Sequence, residues 1–293
     1  MVEACGEDGD GGGGSEMKVV VVVAMFGVLG FLAGVFLRPG GTPSVSIRTV
    51  EELIGDLRSG ELGRRVEAVE QLRTITGLRF GYNPYGRREE RESGWRKWRK
   101  WWEQARGKSP QEWLAEALLD KGYPFRADAA LRIAARGYRG CVEALIKALS
   151  DEDGRVRAAA AEALGQLRDE RAITPLSSLL GDGDASVAGA AALALARFGE
   201  KGAVAINQNI HLISHPTALQ SAADALLANN LSATEPLKRL LRGDTHSKLF
   251  AIDRIRRCRI TALKGEVAAL VSDPDPAVKK AAKRLLSALG DGR

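Results

Sequence analysis

At 293 residues the chain is long enough for one or two domains. Only 5% of it is aromatic against 45% hydrophobic, so any core must be mostly aliphatic, and a net charge of +6 permits acidic partners without requiring them. None of the three cysteines, Cys5, Cys141 and Cys258, pairs with another at metal-ligand or redox spacing, which argues against a zinc or CxxC centre; Cys141 and Cys258 read as small apolar residues.

Residues 1–18 are Gly-rich and acidic, with Gly11 to Gly14 in a row, a composition that predicts disorder. Val19 to Leu37 is an uncharged run of 19 residues bounded by Lys18 and Arg38. That length spans the hydrocarbon core of a bilayer as a single transmembrane helix. A cleaved signal peptide is the competitor, but residues 1–16 are no short basic leader and Arg38-Pro-Gly-Gly is no small-x-small cleavage site. Gly30 and Gly34 form a G-x-x-x-G that could let two spans pack, though glycine is common in membrane helices anyway. Lys18 on one side against Arg38, Arg48 and Arg58 on the other leans towards a cytoplasmic C-terminal part and leaves export open.

Residues 38–48 form a Pro/Gly/Ser linker. Residues 49–108 read as a divergent first repeat followed by a Trp-rich basic insert. Val50 to Leu57 and Arg64 to Ile75 form a helix pair in which Arg65, Ala68 and Leu72 line up with Arg157, Ala160 and Leu164 further on. Thr74 to Pro84 interrupts. All five tryptophans then fall between Trp95 and Trp113. Trp95, Trp98 and Trp102 share one helical face, with Arg96, Lys97, Arg99 and Lys100 elsewhere on the wheel. That face either packs on the first repeat and caps the array of helices, or meets lipid headgroups or nucleic acid bases.

From residue 109 to 293 a helical pattern returns at a fixed interval. Asp153-x-x-Val156, Asp184-x-x-Val187 and Asp275-x-x-Val278 each open an alanine-rich apolar helix, the aspartate serving as helix cap. Taking Val156, Val187, Leu219, Leu249 and Val278 as markers gives spacings of 31, 32, 30 and 29 residues. Phe125-Arg-Ala-Asp-Ala-Ala lies one interval before Val156. Another apolar segment precedes each capped helix, for instance Val142 to Leu149 and Ile173 to Leu180. One helix pair cannot cover its own apolar faces, so pairs must stack into an all-α solenoid. The last helix, Ala277 to Leu289, carries Lys279, Lys280, Lys283 and Arg284, a polar face suited to a terminal cap.

These residues resemble the HEAT repeat family, in particular the short HEAT-like repeats of phycobilisome lyases. The resemblance runs through Asp153, Val156, Arg157, Ala160 and Leu164, then Asp184, Val187 and Ala191, and Asp275, Val278 and Ala282. Pro216 to Asn230 and Thr245 to Ile260 lack the Asp-x-x-Val opening. The insert resembles a Thr-Gly-x-x-Phe-Gly-Tyr-Asn-Pro … Trp-x-x-Trp-Trp element attached to HEAT repeats in some bacterial proteins, where the tryptophans look structural. The resemblance implies a stack of paired helices and little about function.

No catalytic constellation is found. His211 and His215 lack the Glu of a zincin, and Pro216 follows at once. Gly181-Asp-Gly-Asp184 lacks the ligands of a calcium loop. No cofactor or metal is expected. The later repeats are rich in Lys and Arg, and Arg254, Arg256, Arg257, Arg259, Lys279 and Lys280 are the candidate contacts for an acidic protein partner. The expectation is a non-catalytic HEAT-repeat scaffold anchored in a membrane through residues 19–37. The alternatives are a HEAT-like lyase or enzyme-helper subunit, or a basic surface for anionic lipid or nucleic acid, with nucleic acid disfavoured.

Overall fold

Four of the repeats begin where an aspartate closes the first turn of a helix. Asp153 accepts the Arg155 N–H at 2.9 Å, Asp184 the Ser186 N–H at 2.8 Å, and Asp275 the Ala277 N–H at 2.7 Å. The helices they cap are α7 (Gly154–Leu167), α9 (Ala185–Ala196) and α15 (Pro276–Gly290). Asp244 does the same for α13 (Thr245–Arg257), accepting the Ser247 N–H at 2.7 Å. Pro216 opens α11 (Pro216–Ala228) at its first position, where a missing N–H costs nothing.

The computed structural model describes residues 49–290, whose regular elements are all helices, without a strand among them. The segments expected at 1–18, 19–37 and 38–48 lie outside the described residues. Among the described helices none is long and apolar enough to cross a membrane. A second row of helices alternates with the first: α4 (Pro110–Leu119), α6 (Val142–Ala148), α8 (Ile173–Leu179), α10 (Glu200–Gln208), α12 (Thr234–Leu240) and α14 (Lys264–Ala269). Helices α5 (Arg126–Ala135), α7, α9 and α11 stack side by side, and α13 on α15. Alanines 160, 161, 163, 191, 192, 222 and 223 are buried along the stack. Short side chains there let backbones approach, and Gly165 faces Ala194 of α9 so closely that a Cβ would lie 2.7 Å from its Cα.

The caps set the true register. Three residues past each cap lie Val156, Val187, Ala218, Ser247 and Val278, all almost fully buried, at spacings of 31, 31, 29 and 31. Leu219 and Leu249, the markers suggested by the sequence, lie one and two residues beyond this position. Ala218 and Ser247 hide it, since neither is a large aliphatic.

Two residues before three of the caps stands a second aspartate that bridges to the preceding repeat. Asp151 accepts Arg126 Nη2 at 2.9 Å, Asp182 accepts Arg157 Nε at 2.8 Å, and Asp273 accepts Lys248 Nζ at 2.9 Å. In each case the partners are 25 residues apart. Each of these carboxylates also takes the N–H of the cap aspartate, at 2.8–2.9 Å. Arg157 meanwhile donates to the carbonyls of Asp151 and Glu152. Arg65 of α2 (Leu62–Thr76) likewise donates to Ser59 and Gly60, two residues that come after α1 (Val50–Asp56). At the two remaining junctions the equivalent positions hold Ala188 with Ile213, and Leu219 with Arg242. The ladder therefore lapses on both sides of α11 and resumes at Lys248 of α13.

The insert adds α3 (Arg88–Ala105). Gly77 ends α2 with φ +76°, a conformation that favours glycine. The loop after it lays Phe80 and Tyr82 under α3, with the Tyr82 hydroxyl donating to the Leu57 carbonyl. Trp98 is fully buried, edge-on to Phe80 at 4.7 Å and to Trp101 at 5.6 Å. Trp101 meets Trp113 at 5.4 Å, and Trp113 donates its indole N–H to Ala105 at 2.8 Å. The buried seam is therefore Gly94, Trp98 and Ala105 with Trp101 beside them, while Trp95 and Trp102 are half-buried at its edge. Burial pushes the Tyr123 hydroxyl, which accepts the Arg79 N–H at 2.9 Å, up to about 12.

Candidate binding surface

Stacked helices leave one side of the α5–α15 row facing solvent, and equivalent residues line up along it. Nine positions past the caps stand Glu162, Leu193, Asp224, Asp253 and Arg284, with Leu131 one interval before Glu162. Leu131 and Leu193 are 38% and 50% exposed. Leu193 borders a shallow groove of about 390 Å³ between α9 and α11, shared with Ala185, Ser186, Gly189, Ala190, Thr217 and Ser221. Gly189 forms its floor; a Cβ there would come 3.3 Å from Ser221 Oγ.

Towards α13 the surface turns ionic. Arg254 donates Nε to Asp224 at 2.6 Å and Nη1 to Asp253 at 3.2 Å, and lies over the Phe250 ring at 4.7 Å. Arg256 and Arg257 contact the same Asp253 at 2.9 and 2.7 Å. Their hydrogen bonds, Arg256 foremost, hold Asp253 below the usual carboxylate range against its partial desolvation. Arg259 is exposed with φ +50°. Lys279 and Lys280 open α15, the first half-buried and the second exposed, and take no part in the Asp253 network. The six basic residues thus form two groups, and three of them already answer to carboxylates. Ion pairs 30 residues apart, such as Arg254 with Asp224, leave no periodic signal strong enough to be read from sequence.

Other candidate groups resolve simply. His215 Nε2 lies 3.1 Å from the Gly183 carbonyl oxygen and His211 is exposed; no cluster of three metal-ligating side chains exists among the described residues. Asp182 and Asp184 are occupied by the ladder and the cap. Cys141 is buried with Sγ 3.3 Å from the Gln111 carbonyl, but Cys258 is exposed, because it falls at the end of α13 rather than on its inner face.

The carboxylates of the turns share one electrostatic bias. Asp153 is held at about 2 by its hydrogen bonds from Arg155, and Asp169 at about 2 by Arg171. Asp184, Asp244, Asp273 and Asp275 are lowered by hydrogen bonds from neighbouring side chains and backbone N–H groups. Carboxylates depressed in the folded state stabilise it above their unfolded pKa of about 4 and lose that contribution as pH falls towards the folded values. The melting temperature is therefore expected to fall steeply between pH 4 and pH 2. Equal melting temperatures at pH 6 and pH 3 would show that these groups contribute nothing.

Residues 111–196, from α4 to α9, match the family model of HEAT repeats. No curated protein matches the chain. Among solved structures, the complex of CpcE and CpcF of phycocyanin lyase from Nostoc sp. PCC7120 is similar at 22% identity over 87% of this chain and 98% of that one, with a TM-score of 0.38. Human deoxyhypusine hydroxylase in complex with glycerol is similar at 17% identity over 82% and 96%, with a TM-score of 0.34. A designed armadillo repeat protein is similar at 19% identity over 82% and 100%, with a TM-score of 0.33. The described residues form an all-α array of stacked helix pairs, matched to HEAT repeats over residues 111–196.

Proposed function

We propose that the protein is a membrane-anchored, non-catalytic scaffold that holds a partner polypeptide along the outward side of α9, α11 and α13. The observation that carries this reading is Leu193, half exposed over a glycine floor and succeeded along the row by the arginine-rich Asp253 network. An apolar anchor in the groove and acidic residues against Arg256 and Arg257 describe the complementary segment. Affinity would come from a few anchored side chains with a charged rim setting orientation. Anchoring is supported by the length and lack of charge of residues 19–37.

Photo-crosslinking from position 193 in intact cells identifies the partner. Leu193→Glu is expected to weaken its capture at least about tenfold, the scale of a lost apolar anchor. Arg256→Glu with Arg257→Glu should weaken it further and flatten its salt dependence. Capture unchanged by Leu193→Glu would remove the groove from the account. Deleting residues 19–37 is expected to release the protein from carbonate-washed membranes, and retention would refute the anchor.

A further inference from the structure

The α1–α3 end of the array carries a second surface, unlike the first. Helices α1 and α3 pack together and leave a groove of about 440 Å³ whose lining includes Glu51, Ile54, Arg58, Trp95, Arg99 and Trp102. The Arg58 guanidinium lies 4.6 Å from the Trp95 ring centre and that of Arg99 6.0 Å. Both arginines are more than half exposed, at 56% and 53%. Their acidic neighbours, Glu92 at 3.4 Å and Glu103 at 3.3 Å, form surface pairs of the kind that exchange partners at little cost. Lys97 and Lys100 on the outer side of α3 are exposed and make no ion pair among the described residues. Residues 87–108 hold nine Lys and Arg against four Glu, the reverse of residues 109–233, which hold twelve against fifteen Asp and Glu.

We propose that this face, with Trp95 at its centre, rests on an anionic bilayer surface. Guanidinium and ammonium groups suit lipid phosphates, and a half-exposed indole flanked by them suits the headgroup layer, where amphipathic rings are favoured. The inference rests on the anchor proposed above. The eleven residues between Leu37 and Thr49 reach on the order of 40 Å at most, so an anchor at residues 19–37 would raise the effective concentration of lipid at this end.

All five tryptophans lie in residues 95–113, so selectively excited tryptophan emission reports on this region alone. The full chain is reconstituted in vesicles of brominated phosphatidylcholine with and without brominated phosphatidylglycerol. Quenching is expected to be at least about twofold stronger in the anionic vesicles and to fall at high salt. Trp95→Phe should remove most of the difference. So should Arg99→Glu with Lys97→Glu, two exposed changes whose folding is checked by circular dichroism, without altering incorporation. Incorporated protein quenched equally in both vesicles, or unaffected by Trp95→Phe, overturns the proposal. Failure to incorporate refutes the anchor instead. The lipid-facing surface is then upheld if added anionic vesicles still quench through Trp95, and overturned if they do not. Emission that responds to polyglutamate but not to anionic vesicles also overturns it, in favour of an acidic protein segment.

Discussion

Arg157→Met is expected to cost the protein about 2–3 kcal/mol at pH 7. Arg157 and Asp182 are only 19% and 10% exposed, and the arginine closes two bonds on the carboxylate at 2.8 and 2.9 Å. Burial pushes Asp182 up, while Arg157 and the Asp184 N–H outweigh it and leave the group below its ordinary value. Removing one partner from a buried pair strands the other charge, typically a loss of about 3–5 kcal/mol when burial is complete; partial exposure lowers it here. Without Arg157, burial dominates and the Asp182 pKa rises above its unfolded value. Its contribution then favours the folded state only below that pH, so the variant's deficit should shrink between pH 7 and pH 4, opposite to the trend of the parent. Asp182→Asn added to the variant should recover part of the loss, with a coupling of about 1–3 kcal/mol in the double-mutant cycle. Melting curves of the four proteins at both pH values measure this, and additive losses would mean that the pair is not coupled.

Gly165→Ala is expected to lose about 1–2 kcal/mol, although glycine to alanine inside a helix ordinarily gains up to about 1 kcal/mol. The added methyl would lie 2.7 Å from Ala194 Cα and 2.8 Å from its Cβ, with no flexible side chain to give way. Forcing α7 and α9 apart falls in the range of about 1–3 kcal/mol for overpacking. Gly63→Ala in the first turn of α2 is the control, since Gly63 is exposed with nothing within 4 Å, and it should not lower stability and should raise it by at most about 1 kcal/mol, the value for a helix interior. Because repeats are coupled mainly to their neighbours, the loss should appear first as faster amide exchange in α7 and α9. Equal effects of the two substitutions on denaturant midpoints would mean that α7 and α9 are not in such close contact.

The helix-pair rhythm was legible because its causes are local. A carboxylate before an apolar run, an aliphatic three residues later and alanines along one face are all visible within a single helix. The repeats from Pro216 to Arg257 were harder because His215, Ala218 and Ser247 stand where the others have Asp or Val. The cap at Asp244 was obscured for the same reason. On the wheel Trp95, Trp98 and Trp102 are neighbours, but only the loop carrying Phe80 and Tyr82 decides that Trp98 and Trp101 go inward with Gly94. The basic residues of α13 could be counted, yet not the carboxylates that answer them.

By itself, then, the sequence determined that paired helices recur and must stack, since periodicity and capping act over a single turn or two. The tertiary structure alone decided which charges remain free, which glycines are contact points and which indoles stay half exposed. Those outcomes depend on the phase between helices 25 to 31 residues apart, where a shift of one residue turns a side chain by about 100° and changes every partner it meets.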